Sequence, residues 1–320
     1  MEIGMLHTMF DTTKRTDKQK MGIMKTMKKY MALLLIALCA VGCNNNEDDV
    51  IRNSNEIYVE ASFGKTSRAT LTNFETDDMM SLYAVEYNGE EVAEVQTAGN
   101  YINNEAMSYS NGRWQSDRTL YWSDKPCDFY GFYPYQPTGP MSEVLFEVAT
   151  DQSTQKSNGT PGGYEASDIM WAKAQKVSRE DGSVKLQFNH MMTRVIVDIV
   201  RGEKFEGELP KNIDVHVYNT ATTAVVDWRI GSLRAYPQGG YKTIKMRQLD
   251  GDTFDAIVVP QFIQRSTPLI EITMEGIAYL LETSMSFRPG KQHTLTVKLN
   301  TSPDQEKIDI TIDGEIEDWK

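Results

Sequence analysis

Cys43 is the residue whose sequence surroundings point most directly to a chemical reaction. It ends the run Ala40-Val41-Gly42-Cys43, and an uncharged apolar stretch, residues 30–40, leads into that run. The basic residues Lys28 and Lys29 precede the stretch. This order is typical of a secretory signal peptide, and its end resembles a lipobox, although Ala40 stands where Leu is usual. We therefore predict cleavage before Cys43 and acylation of its thiol, which would anchor the mature chain in outer-membrane lipid.

The sequence on either side of Cys43 defines the first two segments of the chain. Residues 1–20 lie upstream of an already complete signal, so we interpret residues 1–42 as a mis-annotated leader followed by the signal peptide. Better starting residues are Met21, Met24 and Met27. Residues 43–55 contain the acidic run 44–49 and are interpreted as a tether. Such a run resembles a surface-export signal of some Gram-negative anaerobes, and it also fits a plain solvated linker.

The other side chains with metal or thiol chemistry form no recognisable motif. The histidines downstream of Cys43 are His190, His216 and His293, and none has the spacing of a metal-binding pair. Cys127 is the only other cysteine of the mature chain, so it has no partner for an internal disulfide. We expect the histidines to be strand or turn residues, and we predict no metal and no cofactor.

Carboxylates are abundant, but their arrangement marks out no catalytic pair. The run Asp250–Asp255 resembles a calcium loop, yet Asp255 occupies the glycine position and Gln261 the position of the bidentate glutamate. We predict a hairpin turn there. A pair of acids suited to glycoside hydrolysis stays open among the 45 Asp and Glu residues. Since nothing singles out such a pair, we expect a protein that is not an enzyme.

An aromatic cluster is the strongest local feature of the sequence. Its members are Trp114, Tyr121, Trp122, Phe129, Tyr130, Phe132, Tyr133 and Tyr135. Exposed rings of this kind could stack on sugars, which would suit a surface glycan-binding lipoprotein. Alternatively, the rings are cross-strand pairs and core residues. Burial of Trp114, Tyr121 and Trp122 would exclude the sugar platform.

The elements that must position these residues are predicted to be β-strands. Short runs rich in Val, Ile, Thr and aromatic residues alternate with Gly, Pro, Asn and Asp, and no window predicts a long amphipathic helix. The predicted strands are 57–63, 80–87, 145–148, 184–188, 195–200, 213–218, 224–228, 254–259, 269–274, 280–287, 293–299 and 308–312. This pattern indicates an all-β protein of sandwiches or barrels.

Length and charge limit the remaining possibilities. A chain of 320 residues suggests two domains. A polar break near residues 202–210 places them at 56–205 and 206–320. The formal net charge of −12 argues against nucleic-acid binding, because an acidic surface repels phosphate.

Several motifs, in order along the chain, carry a family resemblance. Besides Cys43, they are Ser67–Thr70 (SRAT), Trp114–Pro134 (WQSDRTLYWSDKPCDFYGFYP), Leu186–Val195 (LQFNHMMTRV) and Ile316–Trp319 (IEDW). Together they resemble the fimbrillin family of pilus subunits. The resemblance implies two transthyretin-like β-sandwich domains after a cleaved lipoprotein signal peptide, and a structural or adhesive role in a surface fimbria anchored at the outer membrane.

The resemblance also implies a mechanism of assembly. A trypsin-like, Arg/Lys-specific protease removes the first strand, and a strand from another subunit fills the vacated slot by β-augmentation. Here the first strand would carry Ile57, Val59, Ala61 and Phe63 on one face. The basic segment behind it offers Arg68 as the expected cleavage site, with Lys65 as the alternative.

The other end of the chain is predicted to be a donor strand. Ile308, Ile310 and Ile312 alternate, as an inserting strand requires. Because only Lys320 follows Trp319, the resemblance favours a tip or minor subunit over a repeating stalk subunit. Expected partners are other fimbrial subunits, the maturation protease, membrane lipid and an adhesion receptor.

Overall fold

The computed structural model describes residues 55–63, 74–157, 160–264, 267–300 and 310–319, which belong to one compact unit. Cys43 and the predicted signal peptide lie outside these residues. Within these described residues nearly all regular structure is β, as predicted, with one short helix, α1 (Gly163–Ser167), and 3-10 turns at Arg179–Asp181 and Pro237–Gly239. Over the described ranges, no helix combines the length and hydrophobicity needed to cross a membrane.

The first nine strands build the N-terminal half of the molecule. They are β1 (Val59–Phe63), β2 (Met79–Asn88), β3 (Glu91–Val92), β4 (Ile102–Ser110), β5 (Arg113–Gln115), β6 (Cys127–Tyr133), β7 (Val144–Glu147), β8 (Met170–Val177) and β9 (Val184–His190). Eight of them form one sheet in the order β3-β2-β4-β5-β1-β9-β8-β6. Because β6 also pairs with β2, seven of these strands close into a continuous ring. We call this ring the closed sheet.

The remaining strands build the C-terminal half. They are β10 (Thr193–Arg201), β11 (Ile213–Ala221), β12 (Thr223–Asp227), β13 (Ser232–Ala235), β14 (Tyr241–Lys245), β15 (Arg247–Asp250), β16 (Thr253–Val258), β17 (Phe262–Ile263), β18 (Pro268–Met274), β19 (Ile277–Glu282), β20 (Met285–Ser286), β21 (Lys291–Leu299) and β22 (Ile310–Asp318). Their two larger sheets are β15-β16-β10-β21-β22 and β14-β11-β18-β19.

Two apolar clusters follow from the alternation of side chains along the strands. One takes the inward residues of the closed sheet, such as Leu82, Phe129 and Leu186, and we call it the closed-sheet core. The other joins outward residues of the same strands, such as Tyr130 and Phe132, to the C-terminal sheets. Both faces of β6 are therefore buried, which explains the density of aromatic residues in that strand.

The sheets do not separate at the predicted domain boundary of residue 205. Strand β10 pairs with β16 and β21, so it belongs to a C-terminal sheet. Strand β7 pairs in turn with β12, in a small sheet that also contains β13. Strands that lie before residue 205 therefore pair with strands that lie after it. The division into domains 56–205 and 206–320 stays a prediction.

Candidate functional site

Strand β1 lies inside the closed sheet, between β5 and β9. It pairs in parallel with β9 over five positions, from Val59 opposite Val184 to Phe63 opposite Phe188. On its other side it pairs with β5 at one position, Val59 opposite Trp114. The closed sheet is therefore joined strongly on one side of β1 and weakly on the other.

The side chains of β1 alternate between the closed-sheet core and solvent. Ile57 and Val59 are buried, and Ala61 and Phe63 are half-buried against the same core. Glu60 and Ser62 point outward and are exposed. The four positions singled out in the sequence thus share the inward face of one strand.

The slot that β1 occupies is lined by aromatic residues. The Phe63 ring stacks on Phe74, with centroids 4.5 Å apart and planes 25° from parallel. Phe74 in turn meets Trp114 edge-on at 4.8 Å and Phe188 at 5.8 Å. Such pairs contribute about 0.5–1.5 kcal/mol beyond the area that they bury, so exposure of this slot would be costly.

Gly131 of β6 makes room for two inward side chains of β9, the strand that pairs in parallel with β1. A Cβ at Gly131 would lie 2.7 Å from Phe188 Cζ and 2.9 Å from Leu186 Cδ1. Both side chains are fully buried and belong to β9, the parallel neighbour of β1. A larger residue at position 131 would therefore disturb the wall of the slot.

The predicted modification sites lie outside the described residues. These are Cys43 and the cleavage positions Arg68 and Lys65. Before the cleavage segment, β1 ends at Phe63. After it, the first described residue is Phe74, whose ring packs against Phe63. The sites themselves stay predictions.

The predicted donor strand corresponds in part to β22, at the end of the five-stranded sheet. Ile308 lies outside the described residues, whereas Ile310 and Ile312 are opposite Leu299 and Val297 of β21. Strand β22 pairs antiparallel with β21 over nine positions. Residues 314–318 are exposed, and Ile316 keeps 61% of its surface in solvent. The observed strand is longer than predicted and already has one partner.

Sequence reasoning missed one contact between these two regions. Trp319, just after β22, stacks on His190 at the end of β9, with ring centroids 3.8 Å apart and planes 7° from parallel. The His190 ring is also near the Phe63 ring, with centroids 6.1 Å apart and planes 14° from parallel. Both His190 and Trp319 lie in motifs that the sequence analysis singled out, but no signal in the sequence joins them.

The aromatic cluster is mainly core rather than platform. Trp114, Trp122 and Phe129 are buried in the closed-sheet core, while Tyr121 is 49% exposed. Cys127 is buried in the same core, where desolvation, with Glu86 and Asp128 nearby, raises the pKa of its thiol to about 12. The thiol is therefore protonated and shielded at neutral pH.

The remaining candidate residues occupy structural positions. His190 Nδ1 lies 2.8 Å from Asp168 Oδ1, and His293 is buried in β21. The predicted hairpin turn lies within residues 250–255, where β15 ends at Asp250 and β16 begins at Thr253, and Gly251 has a positive φ of 53°. Across the described ranges, no group of three or more His, Cys, Asp or Glu residues is arranged to hold a metal ion.

Comparisons with known proteins agree with this architecture. The chain is similar to a candidate cell adhesion protein from Bacteroides ovatus, with 17% identity, a TM-score of 0.61 and coverage of 83% of this chain and 97% of that one. It is also similar to a candidate cell adhesion protein from Bacteroides uniformis, with 20% identity, a TM-score of 0.58 and coverage of 84% of this chain and 99% of that one. At these identities the likeness concerns the fold. No curated protein matches the chain.

The family assignment comes from the sequence itself. The family model described as fimbrillin-like matches residues 67–319. This range contains strands β2 to β9 and all of the C-terminal sheets. Because the match covers most of the chain, the protein belongs to the fimbrillin-like family.

Proposed function

We propose that this protein is a structural or adhesive subunit of a bacterial surface fimbria, and that it assembles when β1 is replaced by a strand of another subunit. The observation that carries the proposal is the position of β1. It is a short strand next to the chain's N-terminal segment, yet it lies between two partners and covers an apolar core. Its loss would open the closed sheet at that point.

The physics of an open slot favours a replacement strand. Without β1, backbone groups of β9 would lack their partners over five positions, and the inward positions of Val59 and Phe63 would expose the closed-sheet core. Water can pair with the backbone groups but cannot replace the apolar contacts. A strand with alternating apolar residues satisfies both requirements, which is the basis of β-augmentation.

Maturation in this proposal follows from the chemistry of the N-terminal segment. Lipid on Cys43 holds the exported chain at the outer membrane, and an Arg/Lys-specific protease cuts after Arg68, or alternatively Lys65. The cut separates β1 from the rest of the chain, so the strand stays bound only by non-covalent contacts. Family membership supports the fimbrial location and the other subunits as partners.

The state of β22 supports a tip or minor position for the subunit. To donate this strand, the protein would first have to break nine positions of pairing with β21. Once β1 is removed, the subunit can receive a strand at the slot, whereas β22 is paired with β21 and is not free to be given. An exposed adhesion surface for a receptor would then lie on the end of the fimbria.

Controlled proteolysis tests the proposal. We expect an Arg-specific protease to cut the purified protein once, to create a new N-terminus at Ala69, and to permit oligomers or uptake of an added strand. Iodoacetamide labelling of Cys127, followed by mass spectrometry of its peptide, should accelerate when the closed sheet opens, because the buried thiol gains access to solvent.

Two variants make the result specific. Arg68→Gln should abolish both the cut and the acceleration, whereas Arg179→Gln, at an exposed arginine of a 3-10 turn, should leave both unchanged. Cutting throughout the chain, or a clean cut without strand uptake or Cys127 labelling, would count against the proposal.

A further inference from the structure

Three aromatic side chains from distant parts of the sequence form one continuous stack beside the slot. Phe63 ends β1, His190 ends β9, and Trp319 follows the edge strand β22. The imidazole lies between the other two rings and is nearly parallel to both, at 7° from Trp319 and 14° from Phe63. The Phe63 ring, at the end of β1, is thus connected through His190 to Trp319, which follows β22.

His190 is held firmly enough to transmit a displacement. The residue is 8% exposed, and Asp168 Oδ1 accepts a hydrogen bond from its Nδ1 at 2.8 Å when that nitrogen carries the proton. On the backbone, His190 is paired with Met170 of β8. The Phe63 ring lies 6.1 Å from the imidazole, so removal of that ring takes away an aromatic neighbour of the side chain on which Trp319 stacks.

Trp319 is the anchor of the outer end of β22. Its backbone N–H donates to the Gly290 carbonyl at 2.9 Å, and the Gly290 N–H donates to Met192 at 2.9 Å. The five residues before it, 314–318, are exposed. The stack of the Trp319 indole on His190 is the only aromatic contact that the described end of β22 makes with the rest of the described residues.

The Phe63 position is chemically distinct from the other inward positions of β1. Its ring lies between two flat groups, Phe74 at 4.5 Å and His190 at 6.1 Å. At the preceding inward position Ala61 places only a methyl group in the slot, and Val59 places a small branched side chain there. A planar ring fits the space between two parallel faces better than an aliphatic side chain does.

We propose that the slot selects an incoming strand that carries an aromatic residue at the Phe63 position, and that this ring holds β22 in place through His190 and Trp319. The partner is a strand of another subunit with a branched, a small and an aromatic residue at successive inward positions. This inference rests on the proposed function, because it takes the slot as receptive to another strand. When the slot is filled, β22 is held; when it is empty, the end of β22 loosens.

Peptide binding to the protease-cleaved, β1-depleted protein tests the inference. The probe is the peptide of residues 56–64, EIYVEASFG, compared with versions that have Ala in place of Phe63 or in place of Ser62. Loss of the ring should weaken binding at least tenfold, whereas the change at the outward Ser62 should alter it less than twofold. Hydrogen exchange of residues 314–318 should slow with the native and Ser62 peptides and stay fast with the Phe63 peptide.

Trp319→Ala identifies the path of the effect. In this variant the exchange of residues 314–318 should be fast already in the uncleaved protein and should no longer respond to the peptide. Ile316→Ala, at an exposed position of the same strand, is the matched control and should behave like the wild type. Both substitutions lie at the edge of the molecule, so the closed sheet stays folded in each.

The outcomes separate the inference from the proposed function. If the native peptide does not bind the cleaved protein, the receptive slot is wrong and the inference falls with it. If the peptide binds but the Phe63 and Ser62 versions bind equally well, or exchange in β22 does not respond, only the inference is overturned. A rise in exchange after cleavage that includes β16 as much as β22 reflects general unfolding and also overturns it.

Discussion

Strands β1 and β22 differ in how the fold holds them, and the difference bears on which of them a partner can replace. Strand β22 has more backbone pairing, nine positions on one side, but its described end is exposed and it lies at the edge of its sheet. Strand β1 has five positions on one side and one on the other, but its inward face covers a core.

The comparison shows that ladder length alone does not decide the fate of a strand. If β22 left, water could satisfy the edge of β21, because exposed backbone groups exchange one hydrogen-bond partner for another. If β1 left, the closed-sheet core would meet water and no solvent contact could replace it. The slot of β1 therefore demands an occupant, whereas the exposed end of β22, residues 314–318, does not.

The largest expected effect comes from a charge in the slot. Val59→Asp places an unpaired carboxylate at a side chain that is 6% exposed. We expect the free energy of unfolding to fall by about 3–5 kcal/mol, as for other uncompensated buried charges. Ile316→Asp, at the 61% exposed position in β22, should change it by less than about 0.5 kcal/mol. Equal effects in urea unfolding would refute the asymmetry between the strands.

A pair of glycines gives a smaller effect of the same kind. Gly131→Ala in β6 adds a Cβ 2.7 Å from Phe188 Cζ, so we expect a loss of about 1–3 kcal/mol from overpacking. Gly314→Ala in β22 meets Leu295 Cδ2 at 3.5 Å, an ordinary contact, and should be neutral or stabilising by up to about 1 kcal/mol. Thermal unfolding of both variants checks the sign of the change in stability, which should be a loss for Gly131→Ala in β6 and zero or a gain for Gly314→Ala in β22.

The sequence predicted the type of fold because alternation and β-propensity are local properties. Nearly every predicted strand has a counterpart in the structure. The predicted single strand 280–287 differs most, because the structure has two strands there, β19 and β20. The described strands without a counterpart among the predicted runs are β3, β4, β5, β6, β8, β13, β14, β15 and β17, although the alternating rings of β6 were recognised as candidates for cross-strand pairs. The polar run of β4 (INNEAMSYS) and the Ala and Lys residues of β8 (MWAKAQKV) have low β-propensity, and tertiary pairing decides their conformation.

The arrangement of the candidate site could be predicted only in part. The alternation of Ile57, Val59, Ala61 and Phe63 is visible in the sequence, but the parallel pairing of β1 with β9 is a long-range property. The contact of His190 with Trp319 joins residues at the ends of β9 and β22. No local pattern encodes either pairing, because each depends on how the closed sheet and the C-terminal sheet come together.

Acid should weaken the sheet that holds β22 while leaving β1 in place. His293 of β21 is 1% exposed and lies opposite Ile316, and burial, with Arg288 nearby, lowers the pKa of its imidazole. A lowered pKa stabilises the fold above the unfolded value of about 6.5, and this stability is lost as the pH falls toward the folded value. We expect a decline of up to about 1.4 kcal/mol per pH unit below pH 6.5.

His293→Leu isolates this contribution. The variant should have a flatter dependence of unfolding free energy on pH between 7 and 5 than the wild type. The measurement is urea unfolding at a series of pH values, with hydrogen exchange of β22 and β1 followed in parallel. An unchanged slope in the variant would show that other groups cause the acid dependence.

The smallest effect belongs to the surface pairing of β22. Lys291 at the start of β21 forms an ion pair with Asp318 at the end of β22; the Asp318 side chain is exposed and the Lys291 side chain is partly exposed. Since such pairs lose most of their energy to screening and to side-chain entropy, Asp318→Asn should change the free energy of unfolding by less than about 1 kcal/mol. The change should shrink further in 1 M salt. A larger loss that shrinks in 1 M salt would mean that the end of β22 is held by its charges rather than by the stack of Trp319 on His190, and it would remove the reason for linking β22 to the slot.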